Sequence, residues 1–224
     1  MTRSIAADND GTYFCIVTAR DSRVTEKLLV ATSNRKKGGE MVQILAAAGL
    51  EVEILTLADF PGLPEVEETG ETFLTNAHLK AGAAVARTGL TSIADDGGLM
   101  IDALGGAPGV QSHRFLGENT SFDEKMNRIL EMLRDVPNAG RTCRFVCAVV
   151  IATPDGRTFE CEGTCEGRIG REKRGSGGFG YDPIFLLPDR GLHMAELKSD
   201  EKHRISHRGK ALACAVPFLR SLDI

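Results

Sequence analysis

The sequence predicts an α/β fold in which helices cover a mixed central sheet. Predicted strands and helices alternate in the first half of the chain, and predicted strands cluster in the second half. The chain has 224 residues, of which 42% are hydrophobic and 26% charged, the balance of an ordinary globular domain. A chain of this length buries a sizeable core without disulfides or metals to staple it.

The first half alternates short apolar runs with segments of helical spacing. Apolar runs bounded by turn residues indicate strands, and apolar residues three and four apart indicate helices. The predicted strands are 27–32, 51–57 and 91–94, and the predicted helices are 40–48 and 72–87. The segment 59–70 carries two prolines and several acids, so it is predicted to be a loop.

The second half begins with a turn rich in glycine and proline at 102–109. After it, an apolar stripe with helical spacing predicts a core-facing helix; its members are Phe122, Met126, Ile129, Leu130 and Leu133. The runs 141–153 and 157–164 are predicted to pair as a hairpin. A glycine-rich loop at 175–182 leads to the apolar run 183–187, and the tail from about 206 to 222 is predicted to be helical. Pro217 should kink or shorten that helix.

The charge distribution excludes some partners. The formal net charge is −4 and no long basic stripe is present, which argues against nucleic acid as the main partner. No apolar run approaches the ~20 residues needed to span a bilayer. Residues 1–26 lack the apolar core of a signal peptide. We expect them to form a poorly ordered extension before a domain over 27–224, in a cytoplasmic protein whose six cysteines are reduced.

Two evenly spaced cysteine pairs invite a zinc interpretation. Cys143 and Cys147 are four residues apart, as are Cys161 and Cys165. Structural zinc pairs usually have two intervening residues and flanking turns. On a strand, a four-residue step places both side chains on one face, so ordinary core packing explains Cys143 and Cys147 better than a metal.

A polar turn joins the first predicted strand to the first predicted helix at residues 32–37. A helix start offers free backbone N–H groups and the positive end of the helix dipole, an arrangement that binds anions. Lys37 adds a point charge suited to phosphate, and Asn34 can share one face with it. The turn is a candidate phosphate site, although taken alone a capped, solvated helix start is the simpler explanation.

Two aspartates and two glycines follow the third predicted strand. Adjacent strand residues point to opposite sides, so we expect Asp96 to face the site while Asp95 supports it. The glycines let a ligand approach the main chain closely. Glu67 and Glu68 supply further acids in the preceding loop. Oxygen ligands of this kind suit Mg²⁺, while a solvated acidic turn is the alternative.

The glycine-rich loop contains the dinucleotide-binding pattern G-x-G-x-x-G at 175–180. That fingerprint requires a following helix, whereas this chain continues as a predicted extended run. We therefore reject it. What remains is a loop that presents Phe179 and Tyr181 for stacking on a purine, together with Asp182; equally, the aromatic rings can pack into the core.

The segment 201–208 is basic and contains two histidines four residues apart, without the glutamate of the metalloprotease pattern. Lys202, His207 and Arg208 offer hydrogen-bond donors for a base or a phosphate. A solvated basic helix start is the alternative.

Together these segments resemble the inosine triphosphate pyrophosphatase family over about residues 27–222. Six motifs in the family's order carry the resemblance: T-x-N-x-x-K at 32–37, E-E-T-G-x-T-F at 67–73, A-D-D-x-G-L at 94–99, L-G-G-A-P-G-V at 104–110, G-G-F-G-Y-D-P-I-F at 177–185 and S-H-R-G at 206–209. Each motif is weak alone, but six in order are specific.

The resemblance implies an elongated α/β fold with a long mixed sheet, a cleft between two lobes, and a homodimer. It also implies Mg²⁺-dependent hydrolysis of a nucleoside triphosphate to the monophosphate and pyrophosphate, cleansing the nucleotide pool of ITP, dITP and XTP. By position, Asp96 is the implied general base and a metal ligand with Glu68, and Lys80 is a lesser catalytic candidate. The implied substrate-binding residues are Thr32, Ser33, Asn34, Lys37, Gly97, Phe179, Gly180, Tyr181, Asp182, Lys202, His207 and Arg208.

Two positions depart from the family pattern. The family usually has serine where this chain has Gly97, and glycine where it has Ser33. The missing hydroxyl at Gly97 removes a ligand hydrogen bond of about 0.5–1.5 kcal/mol, although the backbone N–H of Gly97 could serve instead.

Three alternatives stay open. Gly97 suggests a nucleotide-binding protein without catalysis. A related pyrophosphatase would act on other modified nucleotides, such as methylated pyrimidines, although the 206–208 segment favours purines. A zinc or redox protein built on the cysteine pairs is the most distant.

Overall fold

The structure is a computed structural model that describes residues 3–7, 13–17 and 26–222. Of the first two segments only the backbone is described: β1 (Arg3–Ala7) and β2 (Tyr13–Val17) pair antiparallel in a two-stranded sheet of their own. Much of the predicted poorly ordered extension, residues 1–2, 8–12 and 18–25, lies outside the described residues. The extension and the domain boundary at residue 27 stay predictions.

A mixed seven-stranded sheet forms the centre of the domain, as predicted. Its strand order is β4-β3-β5-β6-β7-β8-β9. β3 pairs parallel with β4 and β5, and the pairs from β5 to β9 are antiparallel. The strands are β3 (Lys27–Val30), β4 (Glu53–Thr56), β5 (Thr91–Ile101), β6 (Thr142–Ala152), β7 (Thr158–Ile169), β8 (Phe185–Leu187) and β9 (Leu192–His193).

Five helices cover this sheet within the described residues: α1 (Arg35–Ala47), α2 (Phe73–Thr88), α3 (Phe122–Met132), α4 (Ser199–Ile205) and α5 (His207–Ser221). Thr72, Ser121 and Ser206 cap α2, α3 and α5 by accepting first-turn backbone N–H groups, as helix starts require. Within these residues no helix is both long and apolar enough to cross a bilayer.

The long strands β5, β6 and β7 pass through two hydrophobic lobes. In the first, α1 and α5 pack on one face of the sheet and α2 on the other. In the second, α3 and β8 pack against the far ends of the same strands, around Leu99, Ile129 and Phe145. A cleft between two lobes therefore opens beside the middle of β5.

Two boundary predictions are wrong. β5 does not end at residue 94 but runs through the two aspartates and two glycines to Ile101, because each of these residues pairs with β6. The first helix begins at Arg35, not residue 40, because the Asn34 side chain caps it. The last helix spans 207–221, close to the predicted 206–222, and Pro217 does not shorten it, because packing of its buried residues against β6 and β7 outweighs the missing N–H. The alternative, a kink at Pro217, stays a prediction.

The expectation that all six cysteines are reduced is also wrong for one pair. Cys161 on β7 and Cys214 on α5 form a disulfide with Cα atoms 6.0 Å apart. Cys143, Cys147 and Cys165 are buried free thiols, and burial raises the pKa of Cys147 to about 12. Because metals bind thiolates and Cys161 is already bonded, this arrangement does not favour the zinc alternative.

Candidate active site

A cavity of about 720 Å³ lies in the cleft between the lobes, within the range of roughly 300–1,000 Å³ typical of ligand pockets. All the residues predicted to form the site line its wall, and their functional roles stay predictions. They are Thr32, Ser33, Asn34, Lys37, Glu68, Lys80, Asp96, Gly97, Phe179, Gly180, Tyr181, Asp182, Lys202, His207 and Arg208.

The turn before α1 is a capped helix start. The Asn34 side chain accepts hydrogen bonds from the backbone N–H groups of Lys36 and Lys37, both at 3.1 Å. These two N–H groups are therefore already hydrogen-bonded, so the prediction of free N–H groups at this turn does not hold for Lys36 and Lys37. The Lys37 ammonium instead extends across the cleft floor, with Nζ 3.4 Å from Asp96 Oδ1.

Asp95 and Asp96 point to opposite faces of β5, as strand geometry predicts. Asp95 is fully buried and its Oδ2 accepts two hydrogen bonds from Arg208, at 2.9 and 2.8 Å. Burial raises the pKa of Asp95, but Arg208, with Lys37 and Lys80, outweighs burial and holds it well below its ordinary value. Asp96 lines the cavity.

The carboxylates of Glu68 and Asp96, which lie on different elements, both lie within 4 Å of the Lys80 ammonium. Lys80 on α2 places its Nζ 2.8 Å from Glu68 Oε1 and 3.8 Å from Asp96 Oδ1. Burial lowers the pKa of Lys80, but Asp95, Asp96 and Glu68 outweigh burial and raise it. Burial likewise raises the pKa of Glu68, whereas Lys80, Lys37 and Arg114 lower it below its ordinary range. Both groups are therefore charged at neutral pH.

This donor set fits Mg²⁺. Among the described residues no cluster of three or more His, Cys, Asp or Glu side chains forms a ready metal cage. Mg²⁺ does not need one, because it binds one or two carboxylates and fills its other positions with water and substrate phosphates. Glu68 and Asp96, which already converge on a cation, are the residues that would hold it.

Asn76 was not predicted, yet it fixes the Asp96 carboxylate. It is fully buried on α2, donates from Nδ2 to Asp96 Oδ2 at 3.1 Å, and accepts the Gly70 backbone N–H at 2.8 Å. A polar residue at a buried helical position was the available signal, because buried amides require partners.

Gly97 lies where β5 and β6 are in close contact. Its backbone N–H donates to Asp96 Oδ1 at 2.8 Å, so it supports the acid and is not free to bind a ligand as suggested from the sequence. A Cβ added here would lie 2.4 Å from the Val146 carbonyl oxygen and 3.0 Å from Cys147 Cα. The absence of a side chain therefore has a packing reason in this chain.

At the other end of the cavity, only one of the two loop aromatic rings remains available. The Phe179 ring lies over two cations, 4.8 Å from Lys202 Nζ and 5.7 Å from Arg208 Cζ. Tyr181 is buried, its hydroxyl donates to the Ser112 carbonyl at 2.8 Å, and its ring makes an edge contact with Phe122. Tyr181 therefore supports the wall, and stacking on a base stays a prediction for Phe179 alone.

Glu40, also not predicted, joins the cations at this end. Its Oε1 accepts from Lys202 Nζ at 2.6 Å and its Oε2 accepts from Arg208 Nη1 at 2.8 Å. Lys202 also donates to Asp182 at 2.7 Å. A chain of alternating charges, buried except at the partly exposed Glu40 on α1, thus connects Asp182 to Asp95 on β5.

His207 is held neutral at the same end. Burial, with Arg208 and Lys202, keeps the pKa of His207 well below its ordinary value. Its ring stacks on Phe145 at 4.7 Å between centroids. Its Nδ1 is buried and has no hydrogen-bond partner within the described part of the chain, an exception to the rule that buried polar atoms are paired.

Comparisons with known proteins agree on one family. The sequence profile of the Ham1 family matches residues 28–218. The chain is 48% identical over 198 residues to the dITP/XTP pyrophosphatase of Desulforamulus reducens, covering 88% of this chain and 98% of that protein. It is 44% identical to the dITP/XTP pyrophosphatase of Salmonella typhi, covering 88% and 99%. The structure of a HAM1 protein from Coxiella burnetii matches with a TM-score of 0.79 and 39% identity, covering 88% of this chain and 100% of that one.

Proposed function

Because this chain belongs to the Ham1 family, we propose that it is a nucleoside-triphosphate pyrophosphatase acting on deaminated purine nucleotides. The products are the nucleoside monophosphate and pyrophosphate, and the substrates are ITP, dITP and XTP. One observation carries the proposal: carboxylates suited to a metal–triphosphate stand at one end of a cavity, and buried donors suited to a base stand at the other.

The end of the cavity that contains Glu68 and Asp96 would bind the triphosphate and stabilise its charge. When bound by Glu68 and Asp96, Mg²⁺ would neutralise charge on the triphosphate oxygens. Lys37 and Lys80 lie within 4 Å of Asp96 and add fixed positive charge where the pyrophosphate leaves. Such preorganised charge lowers the barrier because the site need not reorganise during the reaction.

Asp96 would orient the attacking water. Its carboxylate is fixed by Asn76 on one oxygen and by the Gly97 N–H on the other. A fixed carboxylate can accept the hydrogen bond of a water molecule directed at the α-phosphorus. Attack there forms a bond from the water oxygen to the α-phosphorus, breaks the bond from the α-phosphorus to the bridging oxygen, and releases pyrophosphate, while the proton lost by the water passes to Asp96.

At the base-binding end of the cavity, Lys202 and Arg208 would recognise the oxygen at position six of the purine. Lys202 uses two of its three N–H groups and Arg208 three of its five in the bonds described above. The remaining donors suit the six-oxo acceptor of hypoxanthine and xanthine, whereas adenine presents an amino group there. Buried donors left unpaired can discriminate by up to ~10⁴–10⁵.

Initial rates of pyrophosphate release with Mg²⁺ test the proposal, comparing ITP, dITP and XTP with ATP, GTP and a methylated pyrimidine triphosphate. Rapid release confined to the deaminated purines is the expected result. Binding of ITP without hydrolysis would establish the non-catalytic alternative, and preference for the pyrimidine would establish the other. Asp96→Asn should abolish turnover while leaving the thermal unfolding profile intact; near-normal turnover contradicts the assignment.

The proposal also includes a homodimer, which the family resemblance implies, and the cytoplasmic location that we expect from the sequence. Light scattering on the purified protein tests the dimer, and fractionation of expressing cells tests the compartment.

A further inference from the structure

The loop that carries Glu68, residues 61–70, has little backbone support of its own. Within it, the backbone hydrogen bonds are short-range, from Leu63 N to Phe60 O at 3.3 Å and from Thr69 N to Glu67 O at 3.1 Å. The loop belongs to neither sheet. Side chains from other elements therefore determine where Glu68 stands.

Arg114 contacts both the main chain and the side chain of Glu68. Its Nη2 donates to the Glu68 carbonyl oxygen at 3.3 Å, and its Nη1 lies 3.8 Å from Glu68 Oε2. Lys80 holds the other carboxylate oxygen, Oε1, at 2.8 Å. Two cations from opposite walls of the cleft thus face the two oxygens of one carboxylate.

Arg114 comes from a segment that is anchored independently of the loop. The Ser112 hydroxyl donates to the Gly109 carbonyl at 2.6 Å and accepts the Leu99 N–H at 2.9 Å. The Ser112 carbonyl accepts the hydroxyl of Tyr181. The guanidinium of Arg114 therefore extends from a fixed base in the second lobe to a loop whose other outside supports, Asn76 at Gly70, Arg87 at Pro64 and Ser33 at Glu65, do not contact Glu68 itself.

We infer that Arg114 is a positioning residue, which sets the Glu68 carboxylate for the metal by bridging the cleft. This inference rests on the proposed role of Glu68 as a metal ligand. Mg²⁺ demands near-ideal octahedral geometry, so a carboxylate held in place binds it better than one on a free loop. Loss of a partner that orients a metal ligand typically lowers metal affinity about 10–100-fold.

The test measures Mn²⁺ binding to the metal-free protein by electron paramagnetic resonance, and amide hydrogen exchange of residues 65–70 without metal. Arg114→Ala should weaken Mn²⁺ binding about tenfold or more and accelerate exchange in this loop. Arg114→Lys, which keeps the charge but not the two-pronged contact, should recover only part of the affinity. The control Arg128→Ala removes an exposed arginine paired with Glu131 on α3 and should change neither reading.

Two outcomes separate this inference from the proposed function. If Glu68→Gln weakens Mn²⁺ binding but both Arg114 variants bind and exchange like the wild type, the positioning role is wrong and the proposed function stands. If instead Glu68→Gln leaves Mn²⁺ binding unchanged, the assignment of Glu68 as a metal ligand in the proposed function is wrong. Arg114→Lys provides the comparison if Arg114→Ala lowers the thermal midpoint.

Discussion

Restoring a side chain at Gly97 should destabilise this protein, even though the family usually has serine there. A Cβ would meet the Val146 carbonyl at 2.4 Å, whereas real Cβ contacts essentially never fall below 3.0 Å. The backbone around this contact must therefore shift by roughly 0.6 Å, in the middle of the β5–β6 pairing. Overpacking of this kind destabilises by about 1–3 kcal/mol, against a gain of about 0.4–1 kcal/mol from a less flexible unfolded chain.

Urea denaturation of Gly97→Ala and Gly97→Ser measures the effect. We expect both variants to lose stability, and turnover to fall because the Gly97 N–H that fixes Asp96 moves with the strand. Gly82→Ala is the matched control: nothing lies within 4 Å of its added Cβ on α2, so it should gain about 0.5–1 kcal/mol. If Gly97→Ala is as stable as Gly82→Ala, the steric reasoning is refuted.

Three further predictions concern charge and cross-linking. Lys80→Met keeps the length of the side chain without its charge, and kcat for ITP should fall roughly 10²-fold; a kcat within a few-fold of wild type would contradict the role. Because burial holds the His207 pKa well below 6.5, only the unfolded chain takes up this proton below about pH 6.5. The free energy of unfolding should then fall by up to ~1.4 kcal/mol per pH unit as pH drops, and His207→Gln should remove that slope in urea titrations from pH 7 to 5. The Cys161–Cys214 disulfide spans 53 residues, so Cys214→Ser should cost about 2–4 kcal/mol in non-reducing buffer; equal stability before and after reduction of the wild type would show that the disulfide contributes nothing.

Local rules were enough to predict the orientation of the Asp96 carboxylate, which we propose to be catalytic. Alternation along a strand sends Asp95 and Asp96 to opposite faces, and the structure shows this. The same rules gave the wrong end for β5, because aspartate and glycine are depleted in strands. Ten consecutive pairings with β6 and a buried ion pair to Arg208 outweigh that preference, and neither can be read from residues nearby in sequence.

Residues whose partners lie far along the chain were missed for the same reason. Glu40 bonds to Lys202 and Arg208, which follow it by 162 and 168 residues. In sequence it is one more charged residue on a helix, and a solvated face explains it equally well. The pairing of Cys161 with Cys214 is likewise a product of the packing of α5 on β7, since spacing alone does not determine disulfide connectivity.

The adjacency of Asp95 and Asp96 limits how the substrate specificity of such a protein can change during evolution. Asp95 bonds to Arg208 at the proposed base-binding end of the cavity, Asp96 lies at the proposed phosphate-binding end, and the two aspartates are neighbours in sequence. If these roles hold, any shift of the β5 backbone that changes the base preference would also move Asp96, the proposed catalytic acid. Substitutions in α4, α5 and the loop bearing Phe179 can change the specificity more easily. A side chain there can change without displacing β5, the strand that contributes to both ends of the cavity.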